Sequence, residues 1–327
     1  MNFIYVIVNS PGAYFAEQAM ISMHSLRMYN PDAHITGVMD SETLEGLSGN
    51  RERIKEYIDD VVVPKLPEGL NSTQKSRFLK TSLRKIIKGD FLFLDADTVV
   101  TGNLSEVQNL PFDIAITLNR HRAWGSENPH PMIYEYKETT GHDIQNIAYF
   151  TNYFNSGVIF SKDTEIAHIF FDRWHQLWLK DSLEFGFHKD QVAGWRANYE
   201  LGNIVQELSP IYNCQFISPV YAMKFFDSAK ILHYFCSTAL ASCLKITDKV
   251  FLEKISKNGI DEEDEQYIRE IKSIFLNKLH IITDKALRNY TEDSVEQSTI
   301  ELIARKISHR FPGINSFARI LLRVMGK

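Results

Sequence analysis

The chain has 327 residues, 44% hydrophobic and 24% charged, which is room for one large domain, or a domain plus an appendage, in an ordinary globular protein. Its formal net charge of −5 excludes whole-surface attraction to nucleic acid, and no nucleic-acid partner is expected. Three cysteines (Cys214, Cys236 and Cys243) with no CxxC spacing exclude a disulfide framework and point to a reducing compartment.

The first residues, MNFIYVIVNS, have no basic leader and too short an apolar run for a signal peptide, and no stretch reaches the roughly 18 apolar residues of a membrane span. A cytoplasmic protein is expected. FIYVIV (3–8) reads as a buried strand ending at NSPG. YFAEQAMISMHSLRMYN follows with apolar residues at helical spacing and stops at Asn30-Pro31. HITGVMD (34–40) and DDVVVPKL (59–66) read as strands, and SRFLKTSLRKII (76–87) as an amphipathic helix ended by Lys88-Gly89. FLFLDAD is then the fourth strand. FDIAITLN (112–119) is a strand, WGSENPHPMIYEYKETTGHD an irregular loop or lid, and YFNSGVIF (153–160) a strand. EIAHIFFDRWHQLWLK (165–180) and HKDQVAGWRAN (188–198) read as helices, and ILHYF (231–235) as a short last strand. Buried strands alternating with helices predict an α/β fold with a mostly parallel sheet, and ligands beyond the carboxyl ends of its strands.

The end of the chain differs in character. After about residue 249 it is charged and helical, with an acidic run at 261–266. From Leu302 onward it lacks Asp and Glu, while Arg305, Lys306, Arg310, Arg319, Arg323 and Lys327 alternate with apolar residues. The expected division is 1–247 as the main domain and 248–327 as a helical extension. Its basic tail, 302–327, suits an anionic membrane surface, at the inner face of the plasma membrane; a helix packed on the body is the other reading.

FLFLDADTVV, residues 91–100, sets two carboxylates at the mouth of a buried strand, where they repel each other and lose hydration unless something positive lies between them. Three readings of Asp95-Ala96-Asp97 are open. The pair caps a turn; or it supplies the nucleophile and general acid of a haloacid dehalogenase-type phosphatase; or it holds a divalent ion that also takes phosphate oxygens from a nucleotide-sugar. The phosphatase needs its aspartates on the first strand and a Gly-Thr-Leu-like continuation, whereas here three strands come first and TVVTGNL follows.

FIYVIVN with MISMHSLRMYNP, SRFLKTSLRKIIKGDFLFLDADTVVTGNL, YFNSGVIF, HKDQVAGW and ILHYF stand in this order across residues 3–235. Together they resemble the GT-A glycosyltransferases, in particular the family 8 group of glycogenin and the bacterial lipopolysaccharide galactosyl- and glucosyltransferases. The resemblance implies a GT-A fold and a DxD metal site at Asp95 and Asp97, with Ala96 between them and His233 as third ligand. An imidazole suits Mn²⁺, which is softer than Mg²⁺. It implies that Asn9 and Ser10 hold the uracil and ribose, with Asp40 a further candidate there, and that Arg77 reaches the donor sugar or diphosphate through its planar fork of donors. Asn155, Asp190 and Gln191 fall where the family arranges the donor sugar. Taken singly, each has a bland reading as well: His233 as a core histidine, Arg77 as a solvated helix-face charge and Asp190 as a helix N-cap.

One departure stands out. After its histidine strand the family has a Gly and a Lys-Pro-Trp segment; here the text is HYFCSTALASCLK, and Lys245 is too far along to transfer. The implied activity is transfer of a hexose from a nucleotide-sugar, UDP-linked, to a glycan or glycolipid acceptor in bacterial surface-polysaccharide synthesis, with retention. His121, Arg122, Trp124, His130, Tyr134 and Tyr136 are acceptor-site candidates, or ordinary loop packing. A non-catalytic nucleotide-sugar-binding protein on the same fold is the alternative.

Overall fold

The computed structural model describes residues 1–10, 12–123, 130–216, 222, 224–235 and 244–274. The chain divides into two compact units, Met1–Leu276 and Asn277–Lys327. The second, which includes the basic tail at 302–327, lies outside the described residues, as do Trp124, Cys236 and Cys243.

The first unit is α/β. β1 (Asn2–Ile7), β2 (His34–Met39), β3 (Asp60–Val62), β4 (Phe91–Leu94), β6 (Ile114–Leu118), β7 (Phe154–Ser161) and β8 (Gln206–Glu207) form a sheet in the order β3-β2-β1-β4-β7-β6-β8. The β3-β2-β1-β4 half is parallel, as is β6–β8, while β7 runs antiparallel to both its neighbours. All four residues of β4 are buried, as an apolar run covered on both faces must be. Chain order turns back between β1 and β4, so a crevice opens at their carboxyl ends.

On one face α3 (Ser72–Thr81), α6 (Glu165–Phe185) and α7 (Asp190–Glu200) pack Leu79, Phe170, Phe171, Trp174, Trp178 and Ala193 onto Ile4, Phe91, Phe93 and Ile159 of the sheet. α1 (Phe15–Tyr29) buries Met20, Ile21, Met23 and Leu26, apolar on more than one side because it is enclosed rather than laid on a surface. The helix Lys249–Asn258 belongs to this unit and is tied to it by Tyr14 Oη donating to Glu253 Oε1 at 2.9 Å and Arg53 Nη1 donating to the Asn258 carbonyl at 2.8 Å.

Two readings change. The helix expected over 76–87 starts earlier, at Ser72, and breaks at Ser82 before a single turn, α4 (Leu83–Ile86). Within the expected loop, Met132–Thr140 forms α5, closed by Gly141 at φ 75° and anchored by buried Ile133 and Tyr136, which pack with Trp195 in a second apolar cluster. A smaller sheet completes the unit: β5 (Thr98–Val100), β10 (Ile231–His233) and β9 (Cys214–Gln215), in the order β5-β10-β9.

Candidate active site

Asp95 follows the last residue of β4, and its backbone N–H donates to the Gly157 carbonyl at 2.8 Å, so the strand ladder ends on the first carboxylate. The turn from there to β5 is tied by the Thr98 hydroxyl, which donates to the Asp95 carbonyl at 2.8 Å. In the small sheet, β10 runs antiparallel to β5 with His233 opposite Thr98, and the Tyr234 N–H donates to the Asp97 carbonyl at 3.1 Å. That register delivers an imidazole to the residue after the DxD pair from more than a hundred positions away. His233 Nε2 lies 3.2 Å from Asp97 Oδ1, and the two carboxylates and the imidazole present ligand atoms all within 4.8 Å of one another.

The face of α3 supplies the positive charge. Arg77 and Lys80, three residues apart, share one side of the helix. Lys80, buried, donates to both Asp95 oxygens at 3.1 and 3.3 Å and lies 3.8 Å from Asp190 Oδ2. Arg77 Nε stands 3.1 Å from Asp190 Oδ1. Asp190 opens α7, where the helix dipole favours a negative charge, and the Ser156 hydroxyl donates to it at 3.1 Å. The Trp174 indole N–H donates to the Asp190 carbonyl at 2.8 Å and fixes that end of the helix from below. On β7 side chains alternate, with Ser156 turned to Asp190 and Asn155 and Gly157 turned toward His233. A Cβ on Gly157 would fall 2.1 Å from His233 Cε1, so the ring sits where only glycine leaves room.

Charge settles unevenly among the acids. Burial pushes the Asp95 carboxyl above the usual carboxylate range, against the pull of Lys80 and with the push of Asp97. Burial is the largest influence on Asp97 too, but His233, a backbone N–H and Lys80 together outweigh it and hold that carboxyl below the usual range. Two carboxylates sharing a pocket separate in this way when no cation joins them. Asp190 is also buried, yet Arg77 and then Lys80 hold it low, so it stays ionised. Two carboxylates and an imidazole converging on one point fit a divalent ion of the Mn²⁺ or Mg²⁺ kind.

Arg77, Asp95, Ala96, Asp97, Asn155, Gln191 and His233 all line one cavity of about 300 Å³, with Val6, Val8 and Phe15 as its apolar side. Gln191 donates to the Phe154 carbonyl at 3.1 Å. A second cavity of about 650 Å³ adjoins it, sharing Thr73, Arg77 and Gln191 and adding Asp190, His130, Tyr153 and Phe187. Three sequence candidates are not brought to either cavity. Asn9 donates its backbone N–H to Thr43 Oγ1 at 2.8 Å, and its Oδ1 is a buried acceptor with no partner among the described residues. The Ser10 carbonyl accepts from Ala13 N–H. Asp40 lines a separate cleft, bound by the Thr43 hydroxyl and by Lys75 Nζ at 3.0 Å. Of the acceptor candidates, His130 lines the second cavity, Tyr134 is exposed, and Tyr136 is buried, donating to Asp181 Oδ1.

Four residues of the site escaped the sequence reading. Lys80 and Gly157 had a signal, in the Arg-x-x-Lys spacing of SRFLK and the NSG of β7. Ser156 had only its place beside Asn155, and Asn213, bonded to His233, had none.

No family model matches the chain, and no curated protein does. Among solved structures it is similar to mouse xyloside xylosyltransferase 1 (16% identity, 73% of this chain and 99% of that chain, TM-score 0.48). It is similar as well to the galactosyltransferase LgtC in complex with donor and acceptor sugar analogs (12%, 81% and 99%, TM-score 0.47). A third is the glycosyltransferase GlyE of Streptococcus pneumoniae TIGR4 (18%, 77% and 63%, TM-score 0.46).

Proposed function

We propose that the protein is a metal-dependent glycosyltransferase of the GT-A kind, moving a hexose from a UDP-linked donor to a glycan or glycolipid acceptor with retention. The reading is carried by one observation: Asp95, Asp97 and His233 converge at the mouth of a cavity that also holds Arg77, Asn155 and Gln191. Asp95, Asp97 and His233 would hold the ion, which when bound supplies Lewis-acid neutralisation of the leaving diphosphate.

The chain's own groups do the rest. Arg77, anchored through Nε to Asp190, keeps its terminal N–H groups for a phosphate or sugar oxygen. It takes the place of the lysine that the family supplies after the histidine strand. Asn155 commits its Oδ1 to the Gly157 N–H and the Asn213 amide, leaving its Nδ2 for a sugar hydroxyl. Asp190, held ionised between two cations, is a weak proton acceptor, which favours a positioning role over that of a deprotonating base. The second cavity, with Tyr153, His130 and Phe187 in its wall, suits a sugar acceptor. On this reading residues 1–247 carry the chemistry and 248–327 form an extension whose tail meets lipid at the inner membrane face. Among the described residues no helix is long and apolar enough to cross a membrane.

Hydrolysis of a panel of nucleotide-sugars, with Mn²⁺ or with a chelator, tests this. One UDP-sugar is expected to be turned over, and Asp97→Ala to lose several kcal/mol of stabilisation, on the order of a hundredfold or more in rate. Turnover indifferent to chelator would overturn the metal assignment.

A further inference from the structure

Behind the His233 imidazole runs a chain of hydrogen bonds with a direction, and a backbone amide sets it. The Gly157 N–H can only donate, and it donates to Asn155 Oδ1 at 3.1 Å, which fixes that amide's orientation. The same Oδ1 accepts from Asn213 Nδ2 at 3.0 Å. Asn213 Oδ1 is therefore the end facing His233 Nδ1, also at 3.0 Å. An oxygen there requires a proton on Nδ1, so Nε2, which faces Asp97 Oδ1 at 3.2 Å, is the nitrogen left for a second proton or, in its place, a cation. Asn213 is fully buried and Asn155 nearly so, so neither amide can turn over toward water. Flipping Asn213 would set two oxygens against each other at Asn155.

We infer that Asn213 is a positioning residue: it holds His233 as the Nδ1–H tautomer and so keeps Nε2 free to join Asp95 and Asp97 around a divalent cation. The inference rests on the reading of those three residues as a metal centre. Its logic is that of outer-shell partners that fix the tautomer and orientation of a ligating histidine. Here the partner is a neutral amide rather than a carboxylate, so the triad gains no further negative charge. The placement follows from β9 pairing parallel with β10, Cys214 opposite Leu232 and Gln215 opposite His233, which brings the residue before β9 alongside the ring.

The test uses the full chain and no sugar. Long-range ¹H–¹⁵N NMR at alkaline pH reads the tautomer with or without an ion, with His233→Gln identifying the signals, and Mn²⁺ binding is followed by electron paramagnetic resonance. The wild type should carry its proton on Nδ1. Asn213→Leu, which removes both bonds at similar volume, should shift the proton to Nε2 and weaken Mn²⁺ binding by about ten- to a hundredfold. Asn213→Asp, which keeps an acceptor toward Nδ1, should retain the tautomer. A wild-type ring protonated on Nε2 overturns the proposal. So does a folded Asn213→Leu chain with unchanged tautomer and Mn²⁺ affinity, or loss of the Nδ1–H tautomer in Asn213→Asp. A chain that keeps this relay yet hydrolyses no nucleotide-sugar overturns the proposed function instead.

Discussion

At the scale of single residues, contact distances decide which substitutions matter. Gly157→Ala would drive a methyl group to 2.1 Å from His233 Cε1, 2.6 Å from Nδ1 and 3.0 Å from Asn155 Oδ1. Because both neighbours are buried, the ring must move; a loss of about 1–3 kcal/mol by urea unfolding is expected, together with weaker Mn²⁺ binding. Asp190→Asn leaves Arg77 and Lys80 facing a neutral group. The cost should be about 1–3 kcal/mol, below that of breaking a fully enclosed pair because Arg77 keeps 35% of its side chain exposed. Since the Asp190 carboxyl is held below its usual value by folding, its stabilisation is complete above the unfolded carboxylate range and is lost as pH falls through the folded value. Urea curves of wild type and Asp190→Asn, taken from pH 6 down to pH 3, should therefore converge on acidification; a constant gap would refute the ion pair as the source. Asp95, Asp97 and Arg77 could be found in the text because each sits in a short stretch whose chemistry is local. Asn213 could not: a lone asparagine has no pattern until strand pairing sets it against a histidine 20 positions away.

At the scale of elements, boundaries follow caps and packing more than periodicity. α3 begins at Ser72 because Asn71 and Gln74 close a reciprocal capping box at 2.9 and 3.0 Å, four residues earlier than the apolar pattern suggests. Ser72, Thr73, Ser76 and Arg77 all face the cavity from this first stretch, so the cap positions the site as well as starting the helix. Asn71→Ala should cost about 1 kcal/mol in thermal or urea unfolding; no change would show that the box does not hold the helix start. Strands of the central sheet were legible because buried runs such as FLFL and FIYVIV admit few other states. α5 was not, since its polar, proline-flanked text conceals two anchors, Ile133 and Tyr136, whose partners come from α6 and α7. The break at Ser82 was equally hidden, because the hydroxyl that turns back on the Phe78 carbonyl leaves no mark on apolar spacing.

At the scale of the whole molecule, the large sheet supplies the floor of the site and the small sheet its third metal candidate. The order of elements was readable, but β5 and the antiparallel docking of β10 on it were not, since three-residue strands carry almost no signal of their own; the family resemblance gave only His233 as third ligand. The tail raises a separate question, and liposome flotation on anionic vesicles, with and without residues 302–327, answers it: the full chain should float and the truncated one stay behind, and equal binding by both would refute a lipid role. Arg77 and the four charged side chains gathered around it have an electrical consequence. Asp95, Asp97 and Asp190 outnumber Arg77 and Lys80, so the bare crevice carries a single surplus negative charge and repels an incoming pyrophosphate; a doubly positive ion reverses the sign. Loading should accordingly be sequential, with calorimetry finding UDP almost without affinity in chelator and binding once Mn²⁺ has entered.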